Sequence, residues 1–292
     1  MKIFVACLSV GLAALTSGLG QPVSVEVAFD QEQFLVNEEL VAKVRITNFS
    51  GQTLALGAEE DWLSFTVDGG PGKVVSQRAV IPVKSAFSLE SSKIGTRRIN
   101  IAPYFDLSRP SRYTVTASVR IPQLKITVSS KPKAFNIING TVLWQQDFGV
   151  PGDAQATNSI PEIRKYSLLQ ATHDRELKLY FRLTDSSGAK TYRVFPIDKL
   201  ISFSNPEGQL DRFNNLHVLY QTGARSFLYM MINPDGVVIA RESHEISNSK
   251  PVLRAEKDGR ISVTGGVRRY APTDLPPPPD SISTPDAAQS QP

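Results

Sequence analysis

The chain has 292 residues, 41% hydrophobic and 21% charged, an ordinary globular composition with length for two domains of about 100–150 residues. Its net charge of +4 is spread without a dense Lys/Arg run, a basic helix or aromatic–basic alternation, which argues against a nucleic-acid partner. The one cysteine, Cys7, lies in an N-terminal apolar run, so a processed chain has no thiol for disulfides, thiol catalysis or metal ligation.

Residues 1–20 read as a signal peptide. Met1-Lys2 is a short positive start, "IFVACLSVGLAAL" an apolar core, and "TSGLG" a small-residue stretch, with cleavage expected after Gly18 or Gly20. The core is too short for a comfortable transmembrane helix, so no stable membrane span is expected after cleavage. Cys7 stands too early for a lipoprotein signal. An exported chain without cysteine fits a bacterial envelope, periplasmic or extracellular. Asn48-Phe49-Ser50 and Asn139-Gly140-Thr141 match the glycosylation pattern and in that context read as chance.

Residues 21–138 read as strand after strand. "VSVEVAF" alternates apolar and polar, and "ELVAKVRITN" puts Leu40, Ala42, Val44 and Ile46 on one face. "DWLSFTVDG", "KVVSQRAVIPV", "RRINIAPYF", "RYTVTASVRI" and "LKITVSS" follow at short intervals. Period-two alternation with β-branched residues and no amphipathic helix predicts a β-sandwich of about seven or eight strands. Tyr113, near the start of its strand, suits either a corner tyrosine that hydrogen-bonds backward or a partly exposed strand residue.

Across Gln33 to Ile121, "FLVNEELVAKVRITNFSGQTLAL…DWLSFTVDGGPGKVV…FSLESSKIGTRRINI…SRYTVTASV" resembles the immunoglobulin-like accessory domains of bacterial exported proteins. Its order of turns and strands also resembles the bacterial intracellular proteinase inhibitor domain. The resemblance implies the sandwich and carries no catalytic motif. It also implies an alternative role, protease inhibition through an exposed loop such as "GGPGK" or "EEDWL", from which the export signal departs.

Residues 139–162, with Trp144, Phe148 and two Gly/Pro turns, read as a linker whose aromatic side chains wedge between domains. From 163 to 270 strands resume. Four turns ending in glycine are expected: "DSSG" at Gly188, "NPEG" at Gly208, "NPDG" at Gly236 and "EKDG" at Gly259. Leu169 aligns with Leu219, Gly188 with Gly236 and Gly208 with Gly259, a period of about 50 residues. Such a repeat resembles a β-propeller blade, and two copies imply a compact pair of blade-like sheets. The expected fold class is therefore all-β: an N-terminal Ig-like β-sandwich plus a second antiparallel β domain of two blade-like repeats. Residues 271–292, rich in Pro, Ser, Asp and Gln, read as a disordered Pro-rich spacer.

Catalytic motifs are missing from the pattern. His173, His217 and His244 lack metal-ligand spacing and read as surface or half-buried strand histidines, so no metal and no cofactor are expected. No G-x-S-x-G elbow occurs, "TGGVRR" precedes no helix, and Glu59-Glu60-Asp61 reads as a solvated acidic corner. A hydrolase would need a deep polar cleft with converging histidine and carboxylate side chains. "RSFLYMM" puts Phe227, Tyr229 and Met231 on one face and Leu228 and Met230 on the other, the mark of a central buried strand. Trp62, Trp144, Phe227 and Tyr229 are the candidate binding residues. The tryptophans are expected mainly in the core or between domains. The sequence thus points to a non-enzymatic exported binding or scaffolding protein whose partner is an envelope protein or a polymer. A carbohydrate-binding module is a further alternative.

Overall fold

The computed structural model describes residues 21–71, 73, 75–83, 86–150, 161–173, 175–201 and 204–275. Residues 1–20, expected as a signal peptide, and residues 276–292 of the expected tail lie outside the described residues. The protein is all-β, and among the described residues only two 3-10 turns, Ala102–Tyr104 and Pro122–Leu124, depart from strand and loop. Among the described residues no helix is long and apolar enough to cross a membrane.

Ten strands build the N-terminal sandwich: β1 (Val23–Ala28), β2 (Gln33–Leu35), β3 (Val41–Asn48), β4 (Leu54–Leu56), β5 (Leu63–Asp68), β6 (Phe87–Leu89), β7 (Ile94–Asn100), β8 (Ser111–Ile121), β9 (Ile126–Ser129) and β10 (Lys133–Ile138). One layer has the order β1-β3-β7, the other β2-β10-β8-β5 with β9 on β8, and β4 pairs with β6. All pairs are antiparallel except β2 with β10. Alternation dictates the packing. In β3, Ala42, Val44 and Ile46 point inward and are fully buried, while Arg45 points to solvent. In β8, Tyr113, Val115, Ala117, Val119 and Ile121 do the same, and both rows join one core. Each Val or Ile so buried contributes about 1.5–3 kcal/mol. Tyr113 settles the choice left open by its position: it is 4% exposed and its hydroxyl donates to Arg109 O at 2.7 Å. "KVVSQRAVIPV", expected as a strand, forms no ladder among the described residues beyond one bridge between Gln77 and Phe105. Ile81 and Val83 still reach the core as side chains.

The second part has β11 (Thr141–Val150), β12 (Glu162–His173), β13 (Glu176–Asp185), β14 (Thr191–Lys199), β15 (Glu207–Leu210), β16 (Leu216–Gln221), β17 (Ser226–Ile232), β18 (Val238–Glu245), β19 (Val252–Ala255), β20 (Ile261–Thr264) and β21 (Val267–Arg269). Two four-stranded meanders follow one another, β11-β12-β13-β14 and β15-β16-β17-β18, with β21 added to the second. They pack face to face through Tyr166, Leu168, Phe181 and Leu183 on one side and Val218, Tyr220, Leu228 and Met230 on the other. The repeat alignment holds at Leu169 with Leu219 (β12, β16) and at Gly188 with Gly236, the β13–β14 and β17–β18 turns, at φ +78° and +74°.

Two expectations are corrected. The supposed linker contains β11, which pairs with β12 along its length, and Phe148 stacks on Tyr166 at 4.1 Å inside the second core. "NPEG" is not a hairpin turn: Glu207 and Gly208 already belong to β15. Gly208 is needed there because a Cβ would lie 2.8 Å from Trp144 Cδ2 and Cε2. "EKDG" is a turn, with Gly259 at φ +80° joining β19 to β20.

The outer face of the first meander meets the sandwich. Leu35 packs with Leu169, Ala171, Tyr180 and Val194, and Asn37 Nδ2 donates to Thr191 Oγ1 at 3.0 Å. The outer face of the second meander is covered in part by the β19–β20 hairpin, and the site lies there.

Candidate functional site

Period two places every second residue of the second meander on its outer face. The registers set them side by side: His217 opposite Met231, Leu219 opposite Tyr229, and then Tyr229 opposite Glu242 and Phe227 opposite His244. Directly opposed residues on one face have Cβ atoms about 4.5–5.5 Å apart. The β19–β20 hairpin crosses this face. Its first strand is tied down by Leu253 N, which donates to Glu207 Oε2 at 2.9 Å. Its turn is held by Arg212 N, which donates to Gly259 O at 3.2 Å. Leu253 seals the end over Phe227 and Leu219. Toward Gly259 a cleft of about 610 Å³ stays open, within the size range of small-molecule sites. Met231, Ile239, Ile261 and Val263 form its apolar walls, and Asp211, His217, Tyr229, Glu242 and His244 its polar lining.

The polar lining is ordered by a relay. Asp211 sits in a tight turn and accepts from Phe213 N (2.8 Å), Asn215 N (2.9 Å), Asn215 Nδ2 (2.9 Å) and His217 Nε2 (3.3 Å). Burial pushes this carboxyl up, but the hydrogen bonds, led by His217, outweigh it and hold Asp211 below the usual carboxylate range. A carboxylate only accepts, so Nε2 of His217 carries the proton. Nδ1 of the same ring shares a hydrogen bond with the Tyr229 hydroxyl at 2.8 Å, which donates when the ring is neutral and accepts when it is protonated. Burial, with Glu242 and Asp211 nearby, raises the phenol's pKa, so it stays protonated.

Beside the relay, Glu242 places Oε2 3.4 Å from His244 Nε2 and Oε1 3.3 Å from Arg268 Nη1. His244 is 7% exposed, and its Nε2 makes no hydrogen bond. That nitrogen lies within ion-pair distance of the Glu242 carboxylate when the ring is protonated. The arrangement can accept hydrogen bonds from a ligand and can hold a proton between His244 and Glu242. Among the described residues no group of three or more His, Cys, Asp or Glu is arranged to hold a metal ion.

The residues singled out in the sequence scatter. Trp62 lies in the sandwich core, 1% exposed, with Nε1 donating to Val83 O at 2.7 Å. Trp144 is half-buried against Gly208 and the second core. Phe227 is buried beneath the hairpin with Lys250 Nζ 5.4 Å from its ring centre. Of the four, Tyr229 alone lines the cleft. The histidines correct the expectation of surface or half-buried positions: His173, His217 and His244 are all buried. Glu59 and Asp61 both engage Arg120 Nη2, as a solvated corner would. Asp211, His217, Glu242 and His244 went unrecognised as a group. Counting back along both strands from the Asn233–Gly236 turn puts Arg241, not Glu242, opposite Tyr229. The bulge between Met231 and Ile232 shifts that count by one residue.

A larger groove of about 860 Å³ runs between the sandwich and β14. Two of its charged groups are paired: Glu38 accepts from Leu35 N and Gln31 Nε2, both at 2.7 Å, and Arg98 pairs with Asp30 at 3.0 Å.

No protein-family profile matches the chain, and no curated protein matches it in sequence. The crystal structure of Spo0M, a sporulation control protein from Bacillus subtilis, is similar at 8% identity over 60% of this chain and 89% of that one. The TM-score is 0.30, too low to carry an argument about fold or role.

Proposed function

We propose that the protein is a non-enzymatic exported binding protein of the bacterial envelope, and that the cleft under the β19–β20 hairpin is where it binds. The observation that carries this reading is the cleft itself, about 610 Å³ beneath the hairpin, walled by Met231, Ile239, Ile261 and Val263 and lined by His217, Tyr229, Glu242 and His244. Apolar walls with a few convergent polar groups are the usual make-up of such a site. The export half of the reading rests on residues 1–20. It is tested by N-terminal sequencing of the protein from an envelope fraction, which should begin at residue 19 or 21.

The binding half is tested by immobilising residues 21–292 and the Glu242→Ala/His244→Ala variant beside each other and passing an envelope extract over both. A component kept by the parent and lost by the variant supports the cleft. Equal retention by both moves the interaction elsewhere, the sandwich loops of the inhibitor reading included.

The pairing of His244 with Glu242 favours a second reading, a hydrolase using them as acid and base. Turnover of an ester or glycoside by the parent, lost in His244→Ala, would establish it.

A further inference from the structure

The groove of about 860 Å³ between the sandwich and β14 lies directly ahead of the point where the described chain ends, at Leu275. We propose that residues 276–280 of the same chain, Pro-Pro-Pro-Pro-Asp, dock in that groove, with Asp280 meeting Arg193. The cleft under the hairpin plays no part in this contact.

The last described residues set the direction. Ser243 Oγ donates to Asp274 Oδ1 at 3.2 Å and Ala271 N donates to Asp274 Oδ2 at 3.2 Å, so the segment after β21 is held against β18. Leu275 then bridges to Arg241: its N–H donates to Arg241 O at 2.9 Å, and Arg241 N donates to Leu275 O at 2.8 Å. The bridge is antiparallel and β18 runs from Val238 to Glu245, so the chain leaving Leu275 heads toward Val238. Val238, Val237 and Gly236 line the groove. Its other edge runs alongside. Arg241 Nη2 pairs with Asp198 Oδ2 of β14 at 2.9 Å. Five residues back along each segment (241 to 236, 198 to 193), Gly236 stands against Arg193, where a Cβ would lie 3.0 Å from Arg193 Cγ.

Proline has no N–H to continue the ladder, and a residue before proline is confined to extended backbone, so a four-proline run keeps the direction taken at Leu275. At about 3.1 Å per residue Asp280 stands roughly 15 Å beyond Leu275, and an extended chain from Arg241 back to Gly236 covers about the same distance. Phe195, Pro196, Val237 and Val238 give that path an apolar lining of the kind that takes proline-rich segments. At its end Arg193 is exposed, and among the described residues its side chain has no ion pair or hydrogen bond. Net charge does not select the tail: Asp30, Glu38 and Glu39 also line the groove, on the sandwich side, with Asp30 held by Lys43 and Arg98. Residues 276–292 carry Asp280 and Asp286 and no Lys or Arg, so the attraction is local to Arg193.

Residues 21–292 contain no cysteine, so Ser281→Cys places a single nitroxide beside the proposed contact without altering any described residue. The readout is the NMR intensity of backbone amides with the label oxidised against reduced. The expected result is loss of at least half the intensity at Phe195, Gly236 and Val238, with β9 unchanged. Mixing isotope-labelled protein that lacks the nitroxide with unlabelled protein that carries it separates the chain's own tail from that of a second copy, and no loss is expected in the mixture. Arg193→Asp should at least halve the effect, and Arg193→Asp/Asp280→Arg should restore it. Loss spread evenly over the surface, or none in the groove, would overturn the proposal. Loss in the mixture as large as in the singly prepared protein would overturn it too, and would give the groove to a second copy. The label sits outside the described fold, so this comparison holds even where an Arg193 variant folds poorly.

Discussion

Gly208→Ala tests whether "NPEG" is a turn or a strand start. At a turn the change would act through backbone conformation. In β15 it acts through Trp144: the new Cβ would lie 2.8 Å from Cδ2 and Cε2 of the indole. Carbon atoms in good contact sit about 3.5–4.0 Å apart, so the ring or the strand must give way by roughly 1 Å. Those atoms are at the ring fusion, and the ring is carried by β11, whose ladder with β12 limits escape. Overpacking of this kind costs about 1–3 kcal/mol. That lowers the melting temperature by roughly 2–12 °C, at about 2–4 °C per kcal/mol for a unit of this size. Trp144→Ala removes the obstacle. In that background Gly208→Ala should stabilise by about 0.5–1 kcal/mol, because alanine loses less backbone freedom than glycine in a strand. Circular-dichroism melting of the four proteins of the cycle gives the coupling, expected at about 2 kcal/mol or more. An equal cost of Gly208→Ala with and without the indole would refute the contact.

The Tyr220 hydroxyl is buried with no hydrogen-bond partner, so Tyr220→Phe should raise stability by about 1 kcal/mol in denaturant titration; a loss would show a partner not accounted for. Asn48 is fully buried and donates to Gln52 O (2.7 Å) and Leu89 O (2.9 Å) while accepting from Ser50. Asn48→Ala should therefore cost about 2–3 kcal/mol, and mass spectrometry should find no glycan on Asn48 of the folded protein. Burial raises the Glu38 carboxyl above its usual 4.5 despite hydrogen bonds from Leu35 N and Gln31. A raised acid stabilises the fold while protonated and loses that contribution as pH climbs from 4.5 through the folded value. The stability gap between the parent and Glu38→Gln should accordingly be larger at pH 4 than at pH 7, and a gap that widens toward pH 7 would contradict the sign.

Where one face of a strand is buried and the other wet, the sequence announced it. β1, β3, β5 and β8 alternate cleanly, while the position of Tyr113 left a corner and a partly exposed site open until its hydrogen bond to Arg109 O decided between them. β17 was legible too, since apolar residues on both faces require a layer above and below it. β11 was hidden because it is an edge strand with Gln145, Gln146 and Asp147 exposed, so its pattern mimics a loop. Gly208 misled because glycine serves two purposes, a positive φ or room for a neighbour, and one sequence position does not distinguish them. The cleft was harder still. Its residues come from the 211–215 turn, β16, β17 and β18, and only strand register brings them together. Read singly, each histidine looked like an ordinary strand residue.

On the proposed reading the second meander, and not the sandwich, carries the binding site. Amide exchange followed by mass spectrometry tests it most directly, with residues 21–292 compared alone and with an envelope extract added. Slowed exchange is expected in peptides covering β17, β18 and the β19–β20 hairpin, and none of it in Glu242→Ala/His244→Ala. Slowed exchange confined to the loops of residues 21–138, unchanged in that variant, would contradict it.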